Sequence, residues 1–109
     1  MPAGYGSTDG CLYGTKFSTI ILPNNLTEIP SYAFYGSSLS SITIPKNVTK
    51  IGAYAFANCK SMSGNLYIPD LVTEIALNAF NKCTFDGRLL FGSGLLTVGS
   101  SAFEGCSGF

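Results

Sequence analysis

The 109-residue chain contains no histidine and no tryptophan, and its charged residues are scarce. They make up 11% of the sequence, whereas a typical globular protein has about 25%. Six basic and six acidic residues give a formal net charge of zero. Without imidazole the chain cannot build a Ser-His-Asp or Cys-His catalytic group, and without a basic cluster it lacks the usual phosphate-binding surface. These absences exclude most hydrolase templates and predict that nucleic acid is not a partner.

Long apolar runs are also missing. No run approaches the roughly 20 residues of a membrane span, so membrane insertion is not expected. The first ten residues lack the basic start and the apolar stretch of a signal peptide, so this chain carries no visible export signal.

One dipeptide, Ala-Phe, recurs four times and defines an internal period. The pairs are Ala33-Phe34, Ala55-Phe56, Ala79-Phe80 and Ala102-Phe103, which are 22, 24 and 23 residues apart. Ten residues before each alanine stands Pro23, Pro45, Pro69 or Gly92, and six residues after that position stands Ile29, Ile51, Ile75 or Val98. Period-2 alternation precedes each of these positions, in Ile20 and Leu22, Ile42 and Ile44, Leu66 and Ile68, and Leu89 and Phe91. The alternation predicts four short strands with one face buried.

A repeat of this length cannot bury its apolar side chains alone, so we expect the repeats to stack. The sequence predicts an α/β fold, a leucine-rich-repeat solenoid of about four repeats of 22 to 24 residues with parallel strands on one face. The Ala-Phe segments on the other face are expected to form short turns or single helical turns. We assign residues 1–16 to an N-terminal cap or degraded repeat. The solenoid then covers residues 17–109, with repeats at about 17–38, 39–61, 62–84 and 85–109.

Three of the four cysteines occupy one repeat position, three residues after the phenylalanine, where the first repeat has Ser37. Their spacing follows the period and contains no Cys-x-x-Cys pair, the spacing that structural zinc favours. We therefore predict that Cys59, Cys83 and Cys106 form a structural ladder of reduced, buried thiols. A bridge between adjacent repeats is sterically conceivable, but three equivalent cysteines cannot pair evenly. Cys11, outside the ladder, is predicted to be the more reactive thiol.

The residues beside the inward-facing strand positions point outward and form a candidate binding surface, which we name the outward strip. Its members are Thr19, Ile21, Ser41, Thr43, Asn65, Tyr67, Arg88 and Leu90. In horseshoe solenoids the parallel strands line the binding face. The strip contains an aromatic ring and an arginine, which are enriched in binding hot spots. Scattered exposed apolar residues are also normal on any protein surface, so both interpretations stay open.

Other polar motifs favour structural roles. Asn25 and Asn47 begin Asn-x-Thr sequences, the pattern of N-glycosylation, at equivalent repeat positions. Asparagine there more often satisfies backbone groups in the turn after a strand, which is the role we predict. Glu28 and Glu74 are two rungs apart, about 10 Å, too far for paired acid-base catalysis. The sequence predicts no catalytic residue, no metal site and no cofactor.

The second repeat runs Leu39-x-x-Ile42-x-Ile44-Pro, then Val-Thr-Lys-Ile-Gly, then Ala-Phe-x-x-Cys59. This combination resembles the BspA-like leucine-rich repeats of bacterial and some protozoan surface proteins. The resemblance covers about Phe17 to Cys106. Departures are local: Ser37 replaces a cysteine, Gly92 replaces a proline, and Pro30 and Ala76 stand where Gly52 follows the isoleucine.

The resemblance implies a right-handed solenoid with roles in adhesion, host-protein binding or surface display. We therefore expect a non-enzymatic protein-protein interaction module, a fragment or relative of a surface adhesion protein, located at the cell surface or secreted. Its unidentified protein partner would bind the outward strip. The alternative is a structural or self-associating segment, because no cap follows the fourth repeat and the rung around Phe103 to Phe109 could dock on another copy or domain.

Overall fold

The chain, described by a computed structural model for residues 20–108, winds into stacked rungs that each carry one Ala-Phe pair. Six short strands form in the order β1 (Glu28–Ile29), β2 (Lys50–Ile51), β3 (Leu66–Ile68), β4 (Glu74–Ile75), β5 (Leu89–Phe91) and β6 (Thr97–Val98). They make a four-stranded sheet, β1-β2-β4-β6, and a two-stranded sheet, β3-β5. Every pairing is parallel and joins residues one period apart. The result is a repeat fold of parallel strands.

The four-stranded sheet places one apolar residue of each rung directly against its equivalent. Ile29 pairs with Ile51, and Ile51 pairs with Ile75. All three are fully buried. The preceding residues, Glu28 in β1 and Lys50 in β2, lie on the opposite, outward side of the sheet, since successive side chains of a strand alternate. The sequence predicted the buried positions but not that they belong to a second sheet.

Two of the four predicted strands are not formed. Residues 66–68 and 89–91 pair as expected, whereas residues 20–22 and 42–44 are irregular. Their side chains still alternate, because Ile42 and Ile44 are buried while Thr43 is exposed. Burial of the alternate side chains therefore positions this part of the second rung without a regular strand ladder.

The Ala-Phe segments form short turns, one of the two predicted alternatives, and not single helical turns. Residues 20–108 contain no helix, and hence none that is long and apolar enough to cross a membrane. The residue before each alanine has a positive φ: Tyr32 61°, Tyr54 59°, Asn78 57° and Ser101 59°. The next phenylalanine N–H donates to an alanine carbonyl of the following rung: Phe34 to Ala55 (2.8 Å), Phe56 to Ala79 (2.7 Å) and Phe80 to Ala102 (2.8 Å). Left-handed residues interrupt a helix, and the bonds between rungs replace the bonds within it.

The phenylalanines of the four Ala-Phe pairs form a continuous stack through the core. Ring centroids are 5.1 Å apart for Phe34 and Phe56, 5.1 Å for Phe56 and Phe80, and 5.3 Å for Phe80 and Phe103. The rings are nearly parallel, at 10°, 5° and 2°. The first three rings are buried, and Phe103 is partly buried.

The fourth rung departs from the predicted burial pattern. Phe91 and Val98 occupy positions predicted to face inward, but they are 49% and 48% exposed. Among the described residues, this rung packs against the third rung on one side and has no neighbour on the other. Ala102 of the same rung is still buried, so the departure is confined to particular inward positions.

Candidate functional site

The outward strip lies at the surface along the rungs. Thr19 falls outside the described residues, and the other seven members are exposed, namely Ile21, Ser41, Thr43, Asn65, Tyr67, Arg88 and Leu90. The large apolar and aromatic members are the most informative, since Ile21 is 95% exposed, Tyr67 50% and Leu90 44%.

The two-stranded sheet fixes the part of the strip with the largest side chains. Tyr67 in β3 and Leu90 in β5 are register partners, so their side chains project from the same face at the rung spacing of about 4.8 Å. The side-chain oxygen of Asn65 accepts a hydrogen bond from the backbone N–H of Arg88 at 2.7 Å. This bond ties Arg88, the residue before β5, to the preceding rung, and Arg88 is two residues from Leu90 in the chain.

Shallow grooves connect the first three rungs along the strip. A groove of about 270 Å³ is lined by Ile21 and Thr43 among others. A larger open groove of about 610 Å³ is lined by Thr43 and Tyr67. Thr43 belongs to both, so the strip and its grooves form one continuous surface from Ile21 to Tyr67.

The larger groove also contains residues that the sequence analysis missed. Lys46, Asp70 and Leu71 lie in the turns that follow the strand positions of the second and third rungs, and all three line the groove. Leu71 is 52% exposed. They therefore add one charge of each sign and an apolar group beside Tyr67. Their sequence signal was the repeated proline, because Lys46 follows Pro45 and Asp70 follows Pro69.

The three ladder cysteines make equivalent contacts in successive rungs. Each thiol donates to the phenylalanine carbonyl of the rung before it: Cys59 to Phe34 (3.1 Å), Cys83 to Phe56 (2.8 Å) and Cys106 to Phe80 (2.9 Å). Ser37, at the same position in the first rung, lies 3.4 Å from the Cys59 sulfur. All three cysteines are free thiols. Cys59 and Cys83 are buried, whereas Cys106 is partly exposed.

Interaction between the neighbouring thiols of Cys83 and Cys106 shifts their pKa values in opposite directions. The pKa of Cys83 is raised chiefly by hydrogen bonding with the Cys106 and Cys59 side chains, and further by burial. The pKa of Cys106 is lowered to about 7, chiefly by the hydrogen bond from Cys83 and further by backbone N–H groups, against the opposing effect of burial. Cys83 has one S–H hydrogen, so at any moment it donates to one of Cys59, Cys106 and the Phe56 carbonyl.

Asn47 has the structural role predicted for it. Its side-chain amide donates to the backbone carbonyl of Asn24, in the turn of the preceding rung, at 2.9 Å. Within residues 20–108, no group of three or more histidine, cysteine or acidic side chains has a geometry that could hold a metal ion.

Comparison with known proteins agrees with the rung geometry. Searches against curated proteins and against solved structures return no match to the chain. A family model described as the BspA type leucine-rich repeat region (6 copies) matches residues 8–108, which include every rung described above. With this match over nearly its whole length, the chain belongs to the BspA-type leucine-rich repeat family.

Proposed function

We propose that the chain is a non-enzymatic module of a surface adhesion protein, secreted or held at the cell surface, which binds a protein partner through the outward strip. Leucine-rich repeats commonly mediate protein interactions, and this repeat family is generally non-enzymatic and typical of surface proteins. The stacked rungs would act as a solenoid scaffold that presents the strip.

The observation that carries the proposal is the exposed Tyr67-Leu90 pair on the two-stranded sheet. A tyrosine supplies a large, rigid contact surface, and its hydroxyl can bond to a partner. Arg88, two residues before Leu90 in the chain, can bind carboxylates in a bidentate manner. The groove at Lys46, Asp70 and Leu71 extends this patch toward the second rung. Aromatic and arginine side chains around an apolar centre are the composition of protein-binding hot spots.

Replacement of both Tyr67 and Arg88 by alanine is expected to weaken binding at least about tenfold, because hot-spot truncations each cost more than about 1 kcal/mol. Both side chains are exposed, so folding should be unaffected. The measurement is surface plasmon resonance against a panel of immobilised extracellular-matrix proteins, with wild-type affinity determined first.

A matched control is the double variant K50A/E74A, which removes two partly exposed polar side chains from the outward side of the four-stranded sheet. Its affinity should stay within about twofold of wild type, the range of a neutral surface position. If the control weakens binding as much as Y67A/R88A does, the partner does not use the outward strip. If no panel protein binds the wild type, the adhesion role is contradicted.

Self-association is a second candidate function, favoured by the apolar side chains of the fourth rung. Leu90, Phe91, Leu96 and Val98 are exposed by 44%, 49%, 81% and 48% in this 109-residue chain. Neighbouring exposed apolar groups of this kind are typical of an interaction surface. A second copy could cover them and continue the contact that each rung makes with its neighbour.

Light scattering coupled to size-exclusion chromatography tests this candidate. If the fourth rung mediates association, wild type should form concentration-dependent oligomers, and L96D should be monomeric because a buried unpaired carboxylate is strongly unfavourable. The matched control, I21D, places the same charge at another highly exposed position, in the first rung, and should leave the oligomers intact. A monomeric wild type at all concentrations would exclude self-association.

A further inference from the structure

The cysteine ladder, which we also call the thiol column, places the sulfur atoms of Cys59, Cys83 and Cys106 in different environments. Cys59 and Cys83 are buried, and Cys106 is partly exposed. Each thiol donates to the phenylalanine carbonyl of the preceding rung, so the three sulfur atoms occupy equivalent positions in successive rungs. The Cys106 thiol donates one hydrogen bond, to the Phe80 carbonyl. This structural role does not depend on the chemical reactivity of the thiol.

Spacing in the stack brings Cys83 and Cys106 within the range of a covalent bond. Cys83 belongs to the third rung and Cys106 to the fourth, at the same repeat position, and just before them the Lys82 N–H donates to the Glu104 carbonyl at 2.7 Å. Backbones joined by such bonds lie about 4.8 Å apart. Disulfides join residues whose Cα atoms are about 4.4–6.8 Å apart. Closure therefore needs side-chain rotation and no large movement of the rungs.

We propose that Cys106 is a modification site for small-molecule disulfides and that Cys83 is its resolving thiol. In the first step the Cys106 thiolate attacks one sulfur of the disulfide, a mixed disulfide forms, and the other half leaves as a thiolate that takes up a proton. In the second step Cys83 gives its proton to water, and its sulfur attacks the Cys106 sulfur. The second half then leaves as a thiol, and the Cys83–Cys106 disulfide remains.

Two features assign the roles in this order. Cys106 is the accessible member of the column, and its lowered pKa of about 7 gives it substantial thiolate character at neutral pH. Cys83 is buried, and its pKa is raised, so it is a poor first nucleophile but lies next to the sulfur that it must attack. An accessible, acidic thiol beside a second cysteine is the arrangement of redox-sensitive sites.

The sequence allows a direct assay with oxidised glutathione as the probe. Trypsin cleaves after lysine and arginine and places each cysteine on its own peptide, namely 1–16, 51–60, 83–88 and 89–109. The native chain is incubated with the probe, quenched in acid, digested and analysed by mass spectrometry. We expect peptides 83–88 and 89–109 to be joined with the loss of two hydrogen atoms.

Serine variants separate the two steps, and Ser37 indicates that serine fits this position of the fold. C83S should accumulate glutathione on Cys106, at least about tenfold above wild type, because the resolving thiol is gone. C106S should leave peptide 83–88 unmodified. C59S is the matched control, since it removes another buried thiol of the column and should retain the cross-link. Circular dichroism checks that each variant is folded.

Three results would overturn the proposal. Peptide 89–109 could keep its free thiol while peptide 1–16, with Cys11, is modified. Wild type could hold glutathione on Cys106 for as long as C83S does, which would remove the role of Cys83. Peptide 83–88 could also be modified as fast in C106S as in wild type, which would make Cys83 the first nucleophile.

Discussion

Replacing Phe56 by alanine is expected to lower the free energy of unfolding by about 4 kcal/mol, the typical loss for a buried phenylalanine. The ring is fully buried, and it stacks on Phe34 and on Phe80 at 5.1 Å in both cases. Its removal therefore leaves a cavity between two rungs and breaks the aromatic stack in the middle. A small domain has about 5–15 kcal/mol of stability in total, so F56A should be largely unfolded at modest denaturant concentrations.

Phe103 supplies the matched control, because it stands at the same repeat position in the fourth rung but is only partly buried. It stacks on Phe80, and it makes a T-shaped contact with Phe91, with the ring centroids 6.2 Å apart. F103A should lose about half as much stability as F56A, because the Phe103 side chain buries less apolar area in the folded protein. Urea unfolding of both variants, followed by far-UV circular dichroism, gives the comparison. Equal losses would mean that the core is not organised by stacking between rungs.

The period of the sequence predicted the buried isoleucines because equivalent residues of stacked repeats occupy equivalent positions. Ile29, Ile51 and Ile75 share one offset from their repeats, and all three are fully buried. The same rule failed at Val98 and Phe91, where a repeat position does not by itself bury a side chain. Among the described residues these two side chains have a neighbouring rung on one side, and the offset of a residue within its repeat carries no information about neighbouring rungs.

The four-stranded sheet could not be predicted from alternation because its strands have two residues each. Period-2 patterns become recognisable over at least four residues. A weaker signal was present, since each apolar residue of this sheet follows a polar one: Glu28, Lys50, Glu74 and Thr97. Conversely, Ile20 and Leu22 alternate without forming a strand. Short strands in a repeat stack are defined by backbone bonds between rungs, which local sequence does not encode.

Left-handed backbone at Tyr32 and Tyr54 was equally hidden from local propensity. Bulky residues rarely adopt a positive φ, so the prediction of short turns or single helical turns did not anticipate this backbone. In the structure the two tyrosine rings stack at 4.9 Å, and the adjacent N–H groups bond to the next rung. These tertiary contacts offset a local conformational cost of about 1–3 kcal/mol. Tertiary bonding here overrides the intrinsic preference of the segment.

For the candidate site, sequence analysis identified side chains but not the surface between them. The exposure of Ile21, Tyr67 and Leu90 follows from alternation beside inward-facing residues. The groove that contains Lys46 and Asp70 depends on how turns of neighbouring rungs are placed relative to the strip. That placement is a product of stacking. The outward strip remains a proposed binding site, and its geometry now identifies which substitutions test it.

Gly52→Ala is expected to lower the free energy of unfolding by about 3 kcal/mol, at the upper end of the range for overpacked interiors. A Cβ atom at Gly52 would lie 2.5 Å from the Ser31 nitrogen, 2.7 Å from the Pro30 carbonyl carbon and 2.8 Å from the Ile29 oxygen. These are backbone atoms of the first rung and cannot rotate away. The methyl group must push the two rungs apart and lengthen the bond from the Gly52 N–H to the Ile29 carbonyl, now 2.8 Å.

The equivalent residue of the third rung is Ala76, so A76G is the matched control for the same position. Its N–H bonds to the Ile51 carbonyl at 2.9 Å with a methyl group already in place. Glycine there should cost about 0.5–1 kcal/mol, through the greater freedom of the unfolded chain. Urea midpoints of the two variants separate a steric effect from a general preference at this position. A loss below about 1 kcal/mol in G52A would mean that the first rung can shift as a unit, because no smaller adjustment relieves three backbone contacts at once.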